Sequence, residues 1–479
     1  MSTRGPLEPP YRGIIGGEER DAASGETTDV RNPATGEVIA EVPASTPDDL
    51  NDAVSVASAA FDEWDAVEPS ERTQLLQEVA DQIREEVDRL ARVETLENGR
   101  PLSDAKGQVR RCARHFEYYG GMADKVQGEQ IPLGEGYVDY TVREPVGVTG
   151  HIVPWNVPIY LFARSVAPAL AAGNSAVVKP ANLTPLGAIE VTRIVNRVLP
   201  DGVLNVVPGA GSVVGDALSG HGDVESVVFT GSGETGKAVG RNAGDAISDV
   251  VLELGGKSPI AVCRDADIDT AVTETIRGIF TGAGQICSAS SRALVHEDIH
   301  DEYLDELVAR VGSFELGPGM ENPDMGPLVS ADHLDTVLDY VDIGREEAGE
   351  PVVGGEKVDR EGHFLEPTVF DGVDNDSQIA QEEVFGPVLT VTTFSDLDEA
   401  IRLANDVRYG LVAGIVTNDL SKAHRYARDV DAGQIYVNEW FAGGNETPFG
   451  GFKESGVGRD NGVQAIHNFT QIKNVCLKI

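Results

Sequence analysis

From residue 175 to residue 262 the chain repeats one phrase: a short apolar run, a loop, then a helical stretch. The runs are SAVVKP, VLNVVPG, VESVVFTG, DVVLELGG and SPIAVC. Strands that alternate with helices specify a parallel sheet of the doubly wound kind. Such sheets bind ligands where loops leave the carboxyl ends of their strands. A second series follows: SRALVHEDI, a helix over 301–313, PVLTVTTF, a helix over 397–407, LVAGIVTN, a helix over 420–431 and GQIYVNEW. The expected fold class is therefore α/β, with two such units.

Around this frame the other patterns are simpler. Residues 47–95 read as helices, with Thr46 as an N-cap, acids in the first turn, Pro69 and Ser70 at a second start and Gly99 near a stop. Residues 136–150 alternate in the manner of strands joined by a turn, and the tail FTQIKNVCLKI alternates like a last strand. No repeat of 20–50 residues and no low-complexity tract is present.

A length of 479 residues suggests two to four domains with ample core. The most apolar region, 146–178, is broken by Pro154, Pro158, Arg164, Pro168 and Asn174. It is a poor membrane span and reads as buried strand and helix. The first twenty residues hold no apolar stretch of signal-peptide length.

The net charge is −41, from 79 acidic and 38 basic residues, and only ten of the basic residues are lysines. The acids are spread along the chain. An acidic, lysine-poor surface suits concentrated salt, where self-repulsion is screened. No basic cluster is available for a phosphate backbone, which argues against nucleic acid as a partner. Cys112, Cys263, Cys287 and Cys476 form no C-x-x-C pair, and the nine histidines make no metal-binding pattern. A zinc site and a disulfide framework are thus not expected, and the default compartment is a reducing cytoplasm.

Two stretches could carry chemistry. VESVVFTGSGETGKAVG places Gly231, Gly233 and Gly236 in a G-x-G-x-x-G between a strand and a helix, the dinucleotide fingerprint. Glu253, in LELGGKSP, then stands where that fingerprint expects a ribose ligand. It could equally face an active site, or be a solvated strand end. TGAGQICSASSRALV sets Cys287 among small neutral residues, as a packing thiol or as a nucleophile.

Seven motifs stand in order: PWNVP (154–158), VVKPANLTP (177–185), FTGSGETG (229–236), LELGGKSP (252–259), GQIC (284–287), EEVFGPV (382–388) and PFGGFKESGVGR (448–459). Together they closely resemble the NAD(P)-dependent aldehyde dehydrogenase superfamily over nearly the whole chain. The resemblance implies a Rossmann-type cofactor domain over 1–126 and 146–256, and a second α/β catalytic domain over 257–465. It also implies a small β oligomerisation element from 127–145 and 466–479. NADP or NAD is the implied cofactor. A homodimer or homotetramer is the implied assembly.

The resemblance reassigns Glu253 from ribose ligand to general base. It makes Cys287 the nucleophile and Asn156 an oxyanion donor, together with the Cys287 backbone N–H. Trp155, Lys179, Asn182, Gly231, Ser232, Gly236, Glu383 and Phe385 become cofactor contacts. Lys179 and Asn182 would face the adenosine ribose, Ser232 the pyrophosphate, Glu383 the other ribose and Phe385 the nicotinamide. From the residues alone, Asn156 could instead shape the turn between Pro154 and Pro158, and Lys179 could be a surface lysine. Relatives that prefer NAD commonly carry glutamate where this chain has Asn182. A neutral amide does not repel a 2′-phosphate, so the chain leans to NADP or dual use.

The implied reaction oxidises an aldehyde to a carboxylic acid through a cysteine thiohemiacetal and a thioester. Glu253 favours hydrolysis over transfer to coenzyme A or phosphate. Two other readings remain: a dehydrogenase for a 2-oxo acid semialdehyde, which would need an anion-binding arginine in its tunnel, and a catalytically silent binding protein. Trp440 and Phe441, in NEWFAGGNETP, are the expected tunnel walls.

Overall fold

Local chemistry sets the start of the first helix and the end of the last over 47–98. In this computed structural model, which describes residue 7 and residues 9–479, Thr46 caps the helix Pro47–Asp65. Its hydroxyl accepts from the Asp49 N–H while the Asp49 carboxylate takes the Thr46 N–H. The helix Val87–Asn98 stops at Gly99, whose φ of 92° closes the left-handed cap. Residues 1–6 and 8, which belong to the stretch read for a signal peptide and to the segment 1–126, lie outside the described residues.

Five strands form the parallel heart of the first sheet: β1 (Val148–Ile152), β2 (Ser175–Lys179), β3 (Leu204–Val206), β4 (Ser226–Thr230) and β5 (Asp249–Glu253). Their order is β3-β2-β1-β4-β5. The chain runs outward from β1 to β3, then returns to add β4 on the other side. The order therefore reverses between β1 and β4, and such a reversal opens a crevice at the strands' carboxyl ends. Two edges are antiparallel and were not legible in the sequence. The hairpin Gly13–Ile15 and Glu18–Arg20 flanks β3, and Gly456–Val457 flanks β5.

The second sheet is parallel throughout. It contains β6 (Pro259–Val262), β7 (Arg292–His296), β8 (Thr368–Phe370), β9 (Val388–Phe394), β10 (Val412–Val416) and β11 (Gln434–Val437), ordered β8-β9-β7-β6-β10-β11. Every strand expected from the apolar runs is present. The expected helices occur as His300–Val311, Leu397–Asn405 and Leu420–Asp429. Only five residues, 254–258, join β5 of the first sheet to β6 of the second. That short link holds the carboxyl edge of one sheet against the amino edge of the other.

The last strand, Thr470–Lys478, pairs antiparallel with Tyr137–Pro145 over nine residues. Gln130–Ile131 adds a third strand. This small sheet leaves Tyr137, Val138, Ile472, Leu477 and Ile479 exposed. Among the described residues, no helix is long and apolar enough to cross a membrane.

Candidate active site

The carboxyl ends of β1, β2, β4 and β5 carry Trp155 and Asn156, Lys179 and Asn182, Gly231 and Ser232, and Glu253 respectively. Strand register aligns them, with Ile152 opposite Lys179 and Thr230 opposite Glu253. The second sheet answers from its amino edge. Cys287 precedes β7, and Glu383 and Phe385 precede β9.

Glycines allow these loops to touch. A Cβ on Gly256 would stand 2.7 Å from the Cys287 carbonyl, and one on Gly284 would meet the Gly386 carbonyl at 2.0 Å. Gly284 also has φ +71°, so only glycine meets both demands. Glu383 accepts the Gly256 N–H at 3.0 Å, which ties the 382–388 loop to the link between the sheets.

Cys287 and Asn156 line one cleft of about 500 Å³. Asn156 is 5% exposed. Its Nδ2 donates to the Gln285 carbonyl at 2.9 Å, which leaves one amide hydrogen for a ligand. Its own carbonyl accepts from Arg100 at 2.6 Å and from Asn98 at 3.3 Å. Arg100 in turn pairs with Glu94 at 3.1 Å in the protein interior. The turn between the two prolines is thus fixed from behind, and the Asn156 side chain is aimed from the front.

Burial pushes the Cys287 thiol up to about 12, helped by Glu383 and Glu253 and opposed by Arg164 and the Ser288 N–H. Without a bound cation this thiol is protonated at neutral pH. Cys112 is wholly buried, and Cys476 is exposed on the small sheet.

Glu253 is 2% exposed, which removes the solvated strand-end reading. Neither carboxylate oxygen meets a donor at hydrogen-bonding geometry. Burial and then the Asp460 carboxylate hold its pKa well above the usual range, against Arg164 and Arg459. Arg164 and Asp460 form a buried ion pair at 2.9 Å. A buried carboxyl with a raised pKa, within electrostatic reach of the Cys287 thiol, becomes a proton acceptor once its own proton is lost.

The residues expected to face a cofactor divide by character. Lys179 is 5% exposed, so it is not a surface lysine; desolvation lowers its pKa to about 8. The Asn182 carbonyl oxygen is buried without a partner. Burial lifts Glu383 to about 7, against its Gly256 hydrogen bond and Lys257. An unmet acceptor and a buried ammonium at the sheet's carboxyl edge, one strand from its switch point, fit the hydroxyls and phosphates of a dinucleotide. Trp155, Phe385 and His333 form an aromatic cluster, with ring centroids 5.2–6.1 Å apart. Phe385 takes φ 56°, and its carbonyl accepts from His333 Nε2 at 2.8 Å.

The 231–236 loop shows two uses for its residues. The Ser232 hydroxyl caps the helix Gly233–Ala246 by accepting from the Thr235 N–H. A Cβ on Gly236 would come within 2.4 Å of Leu254, so this glycine lets the helix lie on the sheet. Gly231 abuts the Phe229 ring, and Gly233 faces open space.

One expectation needs correction. Trp440 does not wall the cleft. It is 1% exposed, packs against Tyr436 and donates its indole N–H to the Ser288 carbonyl at 3.1 Å. The β10 glycine Gly414 leaves the space that the indole fills. Phe441 does line the cleft. Sequence reasoning also missed Asn98, Arg100 and His333, whose importance depends on contacts between distant segments. The run ENGRP, noted only as a helix stop, contains the first two.

Residues 20–475 match the family described as "Aldehyde dehydrogenase family". The chain is 41% identical to hydroxyisobutyraldehyde dehydrogenase of Mycolicibacterium austroafricanum over 469 residues, 97% of this chain and 93% of that protein. It resembles the NAD+ complex of an aldehyde dehydrogenase from Bacillus cereus with a TM-score of 0.97 and 38% identity, over 98% of this chain and 96% of that one. It also resembles betaine aldehyde dehydrogenase from Staphylococcus aureus, in complex with NAD+, with a TM-score of 0.96 and 38% identity over 98% and 94% of the two chains.

Proposed function

The chain belongs to the aldehyde dehydrogenase family, and from that membership we propose how its own residues divide the work. It oxidises aldehydes with a nicotinamide dinucleotide. Cys287 is the nucleophile: its thiol first releases its proton to solvent, the thiolate sulfur then bonds to the carbonyl carbon, and the carbonyl π pair moves to the oxygen, which becomes an oxyanion. The free amide hydrogen of Asn156 receives that oxyanion, with the Cys287 backbone N–H as the second donor. When bound, an oxidised nicotinamide would supply the acceptor for the hydride that leaves the tetrahedral carbon as the oxyanion collapses, and its positive charge would favour the thiolate. A thioester on Cys287 remains. Glu253 takes a proton from water, the water oxygen bonds to the acyl carbon, the carbon–sulfur bond breaks, and a carboxylic acid leaves.

Lys179 and Asn182 take the adenosine ribose, Gly231, Ser232 and Gly236 border the pyrophosphate, and Trp155, Glu383 and Phe385 frame the nicotinamide end. The neutral Asn182 supports NADP or dual use. Segments 1–126 and 146–256 form the cofactor unit and 257–465 the catalytic unit. Segments 127–145 and 466–479 form the subunit-pairing element of a homodimer or homotetramer. The exposed apolar residues of the small sheet support that last assignment. The composition supports a cytoplasmic home in concentrated salt.

The observation that carries this reading is the shared cleft of Cys287 and Asn156, with Asn156 bonded to the loop that holds the cysteine. The test follows the absorbance of reduced cofactor with acetaldehyde in molar salt, with NAD and NADP in turn. Wild type should turn over and Cys287→Ala should not. Equal rates in the two proteins would overturn the assignment.

A further inference from the structure

The turn after Asp460 stores backbone strain. Asn461 takes φ 59° and ψ 173°, a region that only glycine enters without cost. It is 4% exposed and lines the cleft that holds Cys287. Its neighbours keep it there. His115, buried on the helix Leu102–Gly120, meets the Asn461 side-chain amide with Nε2 at 3.0 Å and the Arg111 carbonyl with Nδ1 at 2.9 Å. The Gly462 N–H donates to the Asn445 carbonyl at 2.8 Å, and the Tyr119 hydroxyl donates to the Gly462 carbonyl at 3.1 Å. Glycine would satisfy this backbone without strain, but it has no amide for His115 to hold.

The residue before the turn shows what is being held. Phe449 and Asp460 exchange both main-chain hydrogen bonds at 2.7 Å. Glu253 lies against this bridge: a Cβ on Gly450 would stand 2.8 Å from Glu253 Oε1 and 2.8 Å from Arg459 Cδ. The Asp460 carboxylate pairs with Arg164 at 2.9 Å, and that guanidinium lies 5.2 Å from the centre of the Phe449 ring. The charged and titratable groups around Glu253 and Asp460 are thus Arg164, Arg459, Cys287 and Tyr119. After burial itself, Asp460 acts most strongly to keep Glu253 protonated.

We propose that Asn461 is a positioning residue for the hydrolytic step: its strained backbone, anchored through His115, fixes the Asp460 carboxylate beside Glu253 and so governs Glu253 as a base. The inference rests on the reading of Glu253 as the general base and adds His115 and Asn461 behind it. Loss of the Glu253 proton sets two carboxylates against the Arg164 guanidinium. A turn free to move lets Asp460 draw back, which makes that loss easier.

The test is rapid mixing and steady turnover of the full-length enzyme, with acetaldehyde and saturating cofactor in molar salt, across a pH series. Asn461→Gly removes the anchor and the strain while leaving the chain able to follow the same path. The burst of reduced cofactor, which precedes hydrolysis, should keep its rate. The pH midpoint of the hydrolytic step should fall by about one unit, the scale on which a neighbouring like charge moves a carboxyl. His115→Phe keeps an aromatic ring and removes the anchor; it should move the midpoint the same way, and the double substitution should add nothing further. If His115→Phe melts early, Asn461→Gly alone decides. A midpoint equal to wild type in Asn461→Gly, or a burst slowed as much as hydrolysis, would overturn the proposal. Glu253→Gln separates the two levels. Arrest after the burst leaves the general base standing whatever Asn461 does, whereas full turnover would overturn that reading and the proposal with it.

Discussion

The side-chain amide of Asn156 donates to the main-chain carbonyl of Gln285 at 2.9 Å, and Gln285 stands two residues before Cys287. One hydrogen bond thus fixes the distance between the proposed oxyanion donor and the proposed nucleophile, although 131 positions of chain separate them. Asn156→Ala removes the donor and the tether together. Loss of one oxyanion donor lowers kcat by about 10²–10³. The check is steady-state kinetics beside a thermal melt: kcat should collapse while the melting temperature moves little.

Glu253 should show its part in a pH profile. Its carboxyl is held protonated by burial and by Asp460, so the basic form accumulates only as pH rises above the ordinary carboxylate range. The hydrolytic step, and kcat where that step limits, should therefore climb with pH. Glu253→Gln cannot accept a proton. Rapid mixing should show one equivalent of reduced cofactor per site, then near-arrest, with the acyl group left on Cys287. Undiminished steady turnover in this variant would remove Glu253 from the mechanism.

Arg100 acts one layer behind the reacting atoms. It pairs with the buried Glu94, whose pKa burial raises to about 7, and donates to the Asn156 carbonyl. Arg100→Met strands that carboxyl. Breaking a buried ion pair from one side typically costs about 3–5 kcal/mol. The sign with pH is definite. A carboxyl with a raised folded pKa binds more protons folded than unfolded, so stability falls as pH rises from the unfolded value toward about 7. Without Arg100 the fall continues to higher pH. Denaturation at several pH values should show a deficit that grows toward alkaline conditions, and kcat should drop through the loosened Asn156.

The sequence was legible where the physics is local. Thr46 with Asp49 announces a helix start, Gly99 a helix stop, and apolar runs such as SAVVK and SVVFT announce strands. It was illegible where a residue's role depends on what the fold brings beside it. Gly456–Val457 is two residues long and is a strand only because β5 offers it an edge. Trp440 reads as a tunnel wall until Gly414 is seen to vacate a place for it in the core. Gly236 fits a phosphate-loop spacing, yet Leu254 gives it a packing reason of its own. Asn461 and His115 stand 346 positions apart, and no spacing in the chain marks them as partners.

The Asn182 position offers a charge test that leaves chemistry untouched. Asn182 has its carbonyl oxygen buried and unpartnered, and it lies just beyond the Lys179 strand end. A carboxylate there would repel a 2′-phosphate and accept from a ribose hydroxyl. Asn182→Glu should lower kcat/KM with NADP and raise preference for NAD, a shift of about tenfold for each 1.4 kcal/mol of repulsion. An unchanged NADP-to-NAD ratio would show that the adenosine ribose lies elsewhere.

The last prediction concerns the surface. The excess of 41 negative charges is spread along the chain, so no local partner can cancel it, and the ion pairs that do form are mostly solvent-exposed. Exposed pairs contribute about 0–1 kcal/mol each, too little to offset a charge imbalance of this size. Screening must supply the rest. The Debye length shrinks from about 10 Å at 0.1 M salt to about 3 Å at 1 M, which removes most repulsion between neighbouring carboxylates. Stability should therefore rise steeply with potassium chloride over that range and then level off. Subunit pairing proposed through the strand Thr470–Lys478 should respond in the same direction, because it brings together two copies of a strongly acidic chain. Sedimentation across a salt series should show subunits separating at low salt before the chain unfolds. A melting temperature indifferent to salt would mean that the fold tolerates its charge by other means.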